Sequence, residues 1–578
     1  DRRILTRGIE PNVYAVQESN GINRDQLKYF GTGLTDTEKN TAVSQMEGLL
    51  NTLNDAKEYG SLVNVEDFDW ELLEKFAENT DIESQISFHT YGLDETAEQL
   101  RRLTRIGKVM AQKYEVVATN PPYAAVSNLD VKASNFIKKN YSEHKADLFA
   151  VFMHKCKMFT VRYGFFSMIT MQSWMFLQSF EELRIEILEQ SIVNLLKIGF
   201  NSFPELNSQV AHACAFVIKK IKCEKYSSKF FDLNTGKVTD DKERVFLTKK
   251  EHQEYYIRKN TDFNFIPGIP IAFSFGKNFL KDFEQKKMKD YAEVITGMTT
   301  GNNTLFLRIW TEVNVKNTAI GISSFDEIDL NEKYWIPYSK GGERRNWYGN
   351  TDYLVNWSRK NEFNRSKTTL QHLYLRKAVT WPFINTDTFS ARFLPNGYLW
   401  DVAGSPCFFE SDKILKYCLG FLCSKVAATM LAVINPTINV QAVDIEKLPI
   451  IIDDRIFDEV IKLVDENIGI AMEEWNSYEM SWNFKRHPLV ENQNLVESYD
   501  KWNKKCNEWY ENTKRNEEKL NALFISTYDV GDDVESRVED KRVTIRKSDL
   551  QRDIKSLISY AVGCMFGRYS LDEDGLIY

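Results

Sequence analysis

From Thr35 to Gly60 the apolar positions Val43, Met46, Leu49, Leu50 and Leu53 recur at helical spacing, which predicts a helix with one buried face. The whole stretch from residue 1 to about 110 reads as a polar, mostly helical connecting region. At Tyr114 the period changes. Tyr114–Thr119 is a short β-rich run that stops at Asn120-Pro121-Pro122-Tyr123, the pattern of a strand entering a stiff loop. Beyond it the pattern predicts a helix from Ala146 to Thr160, a strand from Gly164 to Thr170 and a helix from Phe180 to Glu189. Two more strands follow, Ile192 to Gly199 and Ala211 to Lys219. Strands alternating with helices predict an α/β fold with a doubly wound sheet. Past about residue 285 short strands, Gly and Asn turns and dense aromatics replace that alternation, Val440 to Ile450 reads as a closing segment, and about 455 to 525 is charged and helical. Four domains are expected: 1–110, the helical connector; 111–284, the α/β part; 285–453, an α+β domain; and 454–578, a helical region. No repeat of 20–50 residues interrupts this order.

Composition narrows the class. With 578 residues, 43% hydrophobic and 27% charged, the chain is neither disordered nor fibrous. The longest apolar run, Cys418 to Val433, is broken by Gly420, Ser424 and Lys425 and falls short of the ~18 residues of a membrane span. A soluble, cytoplasmic protein with no membrane partner is expected. Seventy-four basic against 82 acidic residues give −8, which argues against a basic coat over the whole surface but leaves room for a local patch. Eight cysteines form no C-x-x-C pair, and the seven histidines lack metal-ligand spacing, so no metal is expected. The Asp1-Arg2-Arg3 start and the Leu576-Ile577-Tyr578 end read as the ends of a piece cut from a longer polypeptide.

Asn120 to Tyr123 carries the strongest chemical signal. An exocyclic amine on a planar ring is a poor nucleophile, because its lone pair is delocalised into the ring. Two acceptors aimed at its two hydrogens favour a pyramidal, reactive nitrogen, and the Asn120 side-chain carbonyl with the Pro121 main-chain carbonyl can supply both. Pro121 and Pro122 fix φ and limit reorganisation at the transition state. Tyr123 offers a ring on which a flipped base can stack. The plainer reading is a strand-to-turn Asn-Pro-Pro followed by a core tyrosine.

Lys145-Ala146-Asp147-Leu148-Phe149 opens the next helix, Tyr163 to Thr170 gives a strand, and Phe200-Asn201-Ser202-Phe203 ends a later one. That succession resembles the amino-methylating DNA methyltransferases in their γ arrangement, with target recognition C-terminal. Ile295 to Asn303 with Phe306-Leu307-Arg308, Trp335 to Gly342, Ser481-Trp482-Asn483-Phe484 followed by His487-Pro488-Leu489, and Ile558 to Tyr569 narrow the resemblance. These runs are similar to the PglX family, the adenine-specific DNA methyltransferases of BREX phage-defence systems, over essentially the whole chain. The resemblance implies a class I, Rossmann-like methyltransferase sheet, S-adenosylmethionine as cofactor, double-stranded DNA as substrate and other BREX proteins as partners. It also implies that Phe203 stacks on the second face of a flipped adenine, a role that competes with ordinary core packing, and that Asp147 lines the cofactor pocket, a role that competes with capping its helix.

The family's acidic-Pro-Ala-Cys-Gly-Ser-Gly cofactor turn does not occur here. Phe30-Gly31-Thr32-Gly33 imitates part of it, but Asn23 to Tyr29 ahead of it is no buried strand. The true loop is expected upstream of Asp1, so this chain alone is expected to be inactive, and the segment before Tyr114 to be weakly held. Between Lys333 and Arg392, eleven Lys or Arg face four Asp or Glu among twelve aromatics. That mixture suits phosphates and unstacked bases, with Lys340, Arg344 and Arg345 the sharpest candidates for DNA contact against the plainer reading of a solvated turn. Three functions compete. The first is N6-adenine DNA methylation. The second is protein glutamine methylation, which poses the same amide problem but does not need the 455 residues that follow the motif. The third is a DNA-binding and partner-docking module with little intrinsic methylation.

Overall fold

The computed structural model describes residues 11–79, 91–199, 202, 212–234, 241–386, 388–435, 437–490 and 494–577. They fall into two compact units, Asp1–Thr261 and Asp262–Tyr578.

The first unit opens with helices. α1 (Asp36–Thr52) starts in a capping box: the Glu38 amide donates to the Thr35 hydroxyl at 3.3 Å, and the Thr35 amide donates to the Glu38 carboxylate at 2.9 Å. Its predicted face is buried at Met46, Leu49 and Leu50, against α2 (Trp70–Glu78) and α3 (Leu93–Ala111). Phe30, Phe76, Leu100 and Leu103 complete this core. The segment before Tyr114, expected to be weakly held, therefore has a hydrophobic core of its own.

α3 feeds β1 (Tyr114–Thr119), the edge of a six-stranded sheet. After α4 (Val131–Asn140) and α5 (Leu148–Phe159) the chain returns as β2 (Thr160–Met171), parallel to β1 with Thr119 opposite Met168. α6 (Glu181–Leu188) leads to β3 (Ser191–Gly199), then come β4 (Ala213–Lys219), β5 (Ser228–Asp232), α7 (Lys242–Glu251) and β6 (Tyr256–Arg258). The sheet order is β1-β2-β4-β3-β5-β6. The mixed α/β class holds. Alternation of elements did not foretell that β4 runs antiparallel between β2 and β3, with Phe216 opposite both Met168 and Leu195. The parallel strands β1, β2 and β3 thus bring their carboxyl ends to one edge, where open α/β sheets bind ligands.

The second unit holds eight named strands among the described residues: β7 (Ala292–Val294), β8 (Leu307–Ile309), β9 (Trp335–Ser339), β10 (Tyr353–Asn356), β11 (Ala378–Thr380), β12 (Arg392–Leu394), β13 (Leu399–Trp400) and β14 (Pro406–Phe409). They form two four-stranded sheets, β13-β9-β10-β8 and β12-β11-β14-β7. Helices α8 (Asp412–Leu422), α9 (Lys425–Ile434), α10 (Phe457–Asn476), α11 (Leu495–Tyr528) and α12 (Leu550–Met565) follow. The expected boundaries at 284/285 and 453/454 lie inside this unit, whose main core runs from Ile266 to Ile545. The Gly276 amide donates to the Asp533 carboxylate at 3.1 Å, closing the core across 257 positions. The apolar run that includes Cys418 to Val433 is the pair α8 and α9, bent by 73°. No single helix among the described residues is long and apolar enough to cross a membrane.

Candidate active site at the carboxyl edge of the first sheet

Asn120 leaves β1 exposed, Pro121 is buried beneath it, and Pro122 is exposed again. Among the described residues no group donates to the Pro121 carbonyl, so that acceptor stands open beside the Asn120 amide. The Tyr123 hydroxyl lies 3.0 Å from Asn120 Oδ1 and 3.1 Å from the Ile169 carbonyl on β2. With a single hydrogen it donates to one of them at a time. Burial, with the Cys214 thiol nearby, pushes this phenol up to about 12, so it stays protonated and remains a donor. Tyr123 was expected to offer its ring to a base. In this structure its hydroxyl also holds the acceptor atom of Asn120.

The loop is fixed at its far end by Asp147. This residue caps α5, its Oδ1 accepting from the amides of Ala124 and Phe149 at 3.2 Å each, while the Leu148 amide donates to the Ala124 carbonyl at 3.0 Å. Burial raises the Asp147 carboxyl against those amide hydrogen bonds. The capping reading of Asp147 is therefore realised in full. Beneath the site the floor is packed: Trp174 Nε1 donates to the Thr170 hydroxyl at 3.1 Å, and Thr170 sits 3.4 Å from the Cys214 sulfur. Gln172 and His212 close one side through a 3.3 Å contact between side chains. Burial, then Lys197, lowers the His212 pKa. Neither Ile169 nor Gln172 was singled out from the sequence. Only the pairing of β2 beside β1 brings them to the loop. Phe203 lies outside the described residues.

The glycine turn at Phe30 is committed to the helical core. Phe30 is fully buried, and the Gly31 amide donates to the carbonyls of Phe76 (3.2 Å) and Asn79 (2.8 Å). With φ at +76° and a would-be Cβ 2.8 Å from the Phe76 ring, Gly31 serves close packing here.

In the second unit the basic loop turns its charges inward. Lys340 Nζ lies 2.8 Å from Asp401 Oδ2, a carboxylate that also accepts from the Tyr338 hydroxyl at 3.0 Å. Arg344 donates to the Arg542 carbonyl at 2.7 Å. Arg345 is buried, paired with the fully buried Glu474, and its guanidinium lies 5.0 Å from the Trp475 ring. Glu474 also takes Arg546. Gly341, at φ +86°, passes so close to Ala403 that any Cβ would overlap its carbonyl. The Arg345 guanidinium is thus held by a buried carboxylate, the partner that its desolvation requires. Lys340, Arg344 and Arg345 all line a cleft of about 470 Å³ that also reaches Tyr353 and Thr544.

Residues 26–203, a span that includes the Asn120 loop, match the model of the Eco57I restriction-modification methylase family. Over its full length the chain is 33% identical to an adenine-specific methyltransferase PglX of Lacticaseibacillus casei (strain Zhang), covering 49% of that protein. It is 30% identical to an adenine-specific methyltransferase BrxX of Escherichia coli O9:H4 (strain HS), again over the full chain and covering 50% of the relative. The chain thus spans about half the length of the curated relatives it matches, and the resemblance to PglX read from its motifs holds from end to end. Among solved structures, the Type IIL restriction-modification enzyme MmeI in complex with DNA aligns with 88% of this chain and 75% of its own, at 11% identity and a TM-score of 0.40.

Proposed function

We propose that this chain carries the amine-activating half of a class I, S-adenosylmethionine-dependent DNA adenine N6-methyltransferase that works in a BREX-type phage-defence system. The observation that supports it most directly is the pair of acceptors at the end of β1, Asn120 Oδ1 and the Pro121 carbonyl, set in a loop braced by two prolines and by Asp147. An adenine amine entering this loop would give one hydrogen to each acceptor. Its nitrogen would pyramidalise, and the positive charge developing there would be stabilised in place. Asn120 Oδ1 has two lone pairs and can accept from the amine beside the Tyr123 hydroxyl, and the Ile169 carbonyl, 3.1 Å away, offers that hydroxyl another acceptor when the amine displaces it. The Tyr123 ring is then the stacking surface on one face of the base, and Phe203 the candidate on the other.

S-adenosylmethionine would supply an electrophilic methyl group when bound. The described residues fit it poorly: the Phe30–Gly33 turn spends its amide on Phe76 and Asn79, and the Asp147 Oδ1 is spent on two amides. Lys340 and Arg344, at the cleft in the second unit, are the proposed phosphate contacts on double-stranded DNA. The test is Asn120→Ala in the full-length protein, scored for N6-methyladenine in DNA and for DNA affinity. Methylation should fall by ~10²–10³ or more with affinity held within a few fold, since an acceptor for transition-state charge is lost. Unchanged turnover would show that this loop does not carry the chemistry.

A further inference from the structure

A second polar cluster lies in the first unit, apart from the Asn120 loop. His144 precedes α5, His154 and Lys157 stand one turn apart on α5, and Glu186 projects from α6. His144 Nε2 is 2.9 Å from Glu186 Oε2, and His154 Nδ1 is 3.0 Å from either carboxylate oxygen. The two ring nitrogens are 3.1 Å from each other. Lys157 Nζ reaches Glu186 Oε1 at 2.8 Å. The His144 side chain is 4% exposed and Glu186 13%, whereas His154 is open at 31%.

These three ligand-type atoms form a triangle that hydrogen bonds cannot satisfy. A carboxylate only accepts. If both ring nitrogens carry hydrogen, two donors face each other at 3.1 Å. If one does not, its lone pair faces an anionic oxygen at about the same distance. The His144 Nδ1 is buried without a partner, so the ring has no second anchor to compensate. A cation taking one lone pair from each group removes the conflict. With bonds of about 2.0–2.1 Å, a tetrahedral ion holds its ligands about 3.3 Å apart, so each edge would open by only about 0.3 Å. The donor set points to a transition metal, because two imidazoles with one carboxylate suit zinc-class ions, whereas calcium and magnesium take oxygen.

We propose that His144, His154 and Glu186 form a binding site for one divalent zinc-class ion that clamps α5 to α6, with Lys157 leaving Glu186 as the ion enters. The fourth position opens on the exposed side of His154. Because α5 begins at Asp147, which holds the loop after Pro122, the clamp braces the helix on which that loop rests.

Tag-free chain, stripped with chelator, would be titrated with zinc chloride by calorimetry and with cobalt(II) by visible absorption. One ion per chain at micromolar affinity or tighter is expected, with the cobalt spectrum of a four-coordinate nitrogen and oxygen site. The melting temperature should rise with zinc and return with EDTA. His154→Ala and Glu186→Gln should each weaken binding at least tenfold, while Lys157→Ala, which removes the competing ammonium, should tighten it. The absence of stoichiometric binding to wild type would overturn the proposal. So would undiminished binding after the two ligand substitutions, or unchanged affinity in Lys157→Ala. Wild type and Lys157→Ala keep the test decisive even where a ligand variant fails to fold.

Discussion

Arg345→Met separates a structural arginine from a DNA contact. The substitution keeps a long side chain against Trp475 but leaves Glu474, fully buried, with Arg546 as its only cationic partner among the described residues. Breaking a buried ion pair from one side typically costs ~3–5 kcal/mol, because the remaining charge stays desolvated. Arg546 still neutralises much of Glu474, so the lower end applies, about 3 kcal/mol. At a urea slope of ~3 kcal/mol/M that is a midpoint shift of about 1 M. The assay is urea unfolding followed by tryptophan fluorescence, since Trp475 and Trp347 lie in the same core. Alongside it, DNA affinity would be measured from 50 to 200 mM salt at a temperature where the variant is folded. The midpoint should fall and the salt slope should stay at its wild-type value. A wild-type midpoint with a slope flattened by about one unit would refute the reasoning, since it would mean that the guanidinium leaves Glu474 to meet a phosphate.

Glu517 is buried between Trp347 Nε1 at 2.8 Å and Asn346 Nδ2 at 3.3 Å, and burial pushes its carboxyl up to about 7 against those hydrogen bonds. A raised acid binds its proton more tightly when folded, so stability should decline from about pH 4.5 to 7 and level off above; Glu517→Gln should flatten that decline, gaining about 3 kcal/mol at pH 8 in urea unfolding. Tyr123→Phe keeps the ring and uncovers Asn120 Oδ1, so single-turnover methylation should stay within about tenfold of wild type, while Tyr123→Ala should lose far more. Asp147→Ala removes the α5 cap and the tether on Ala124; a loss of about 1 kcal/mol in stability is expected, together with faster hydrogen exchange at the Ala124 amide. Equal exchange in the two proteins would show that the loop is held elsewhere.

The elements around the site were legible because each has a strong local signature. The β-rich run before Asn120, the helix opening at Asp147 and the strand through Gly164 all stand close to where the pattern set them. What the pattern lacked was pairing. Nothing local says that β4 inserts antiparallel between β2 and β3, or that β2 pairs beside β1 and so brings the Ile169 carbonyl to Tyr123. Charge was the least legible property. A run rich in Lys and Arg looks alike whether it faces solvent or carboxylates far along the chain, and Glu474 lies 129 positions from Arg345. The convergence of His144 with His154 and Glu186 was illegible for the same reason: the first two are ten positions apart across a helix start, and the third arrives from a different helix.

The hydrogen bond from Gly276 to Asp533 has a consequence for biosynthesis. A ribosome adding ~5–20 residues per second needs ~13–50 s to travel between those positions. Between the completion of α9 at Ile434 and the arrival of α11 from Leu495 onward, the apolar side chains of the strands and of α8 and α9 have emerged without the helix that carries Trp509, Leu520 and Phe524 into the same core. The first unit, which ends at Thr261, can fold while the second is still being made. The second cannot. Slow translation between Gly276 and Asp533 lengthens the exposure of its nascent strands, so expression yield should respond to codon choice in this stretch more than in the first 261 residues.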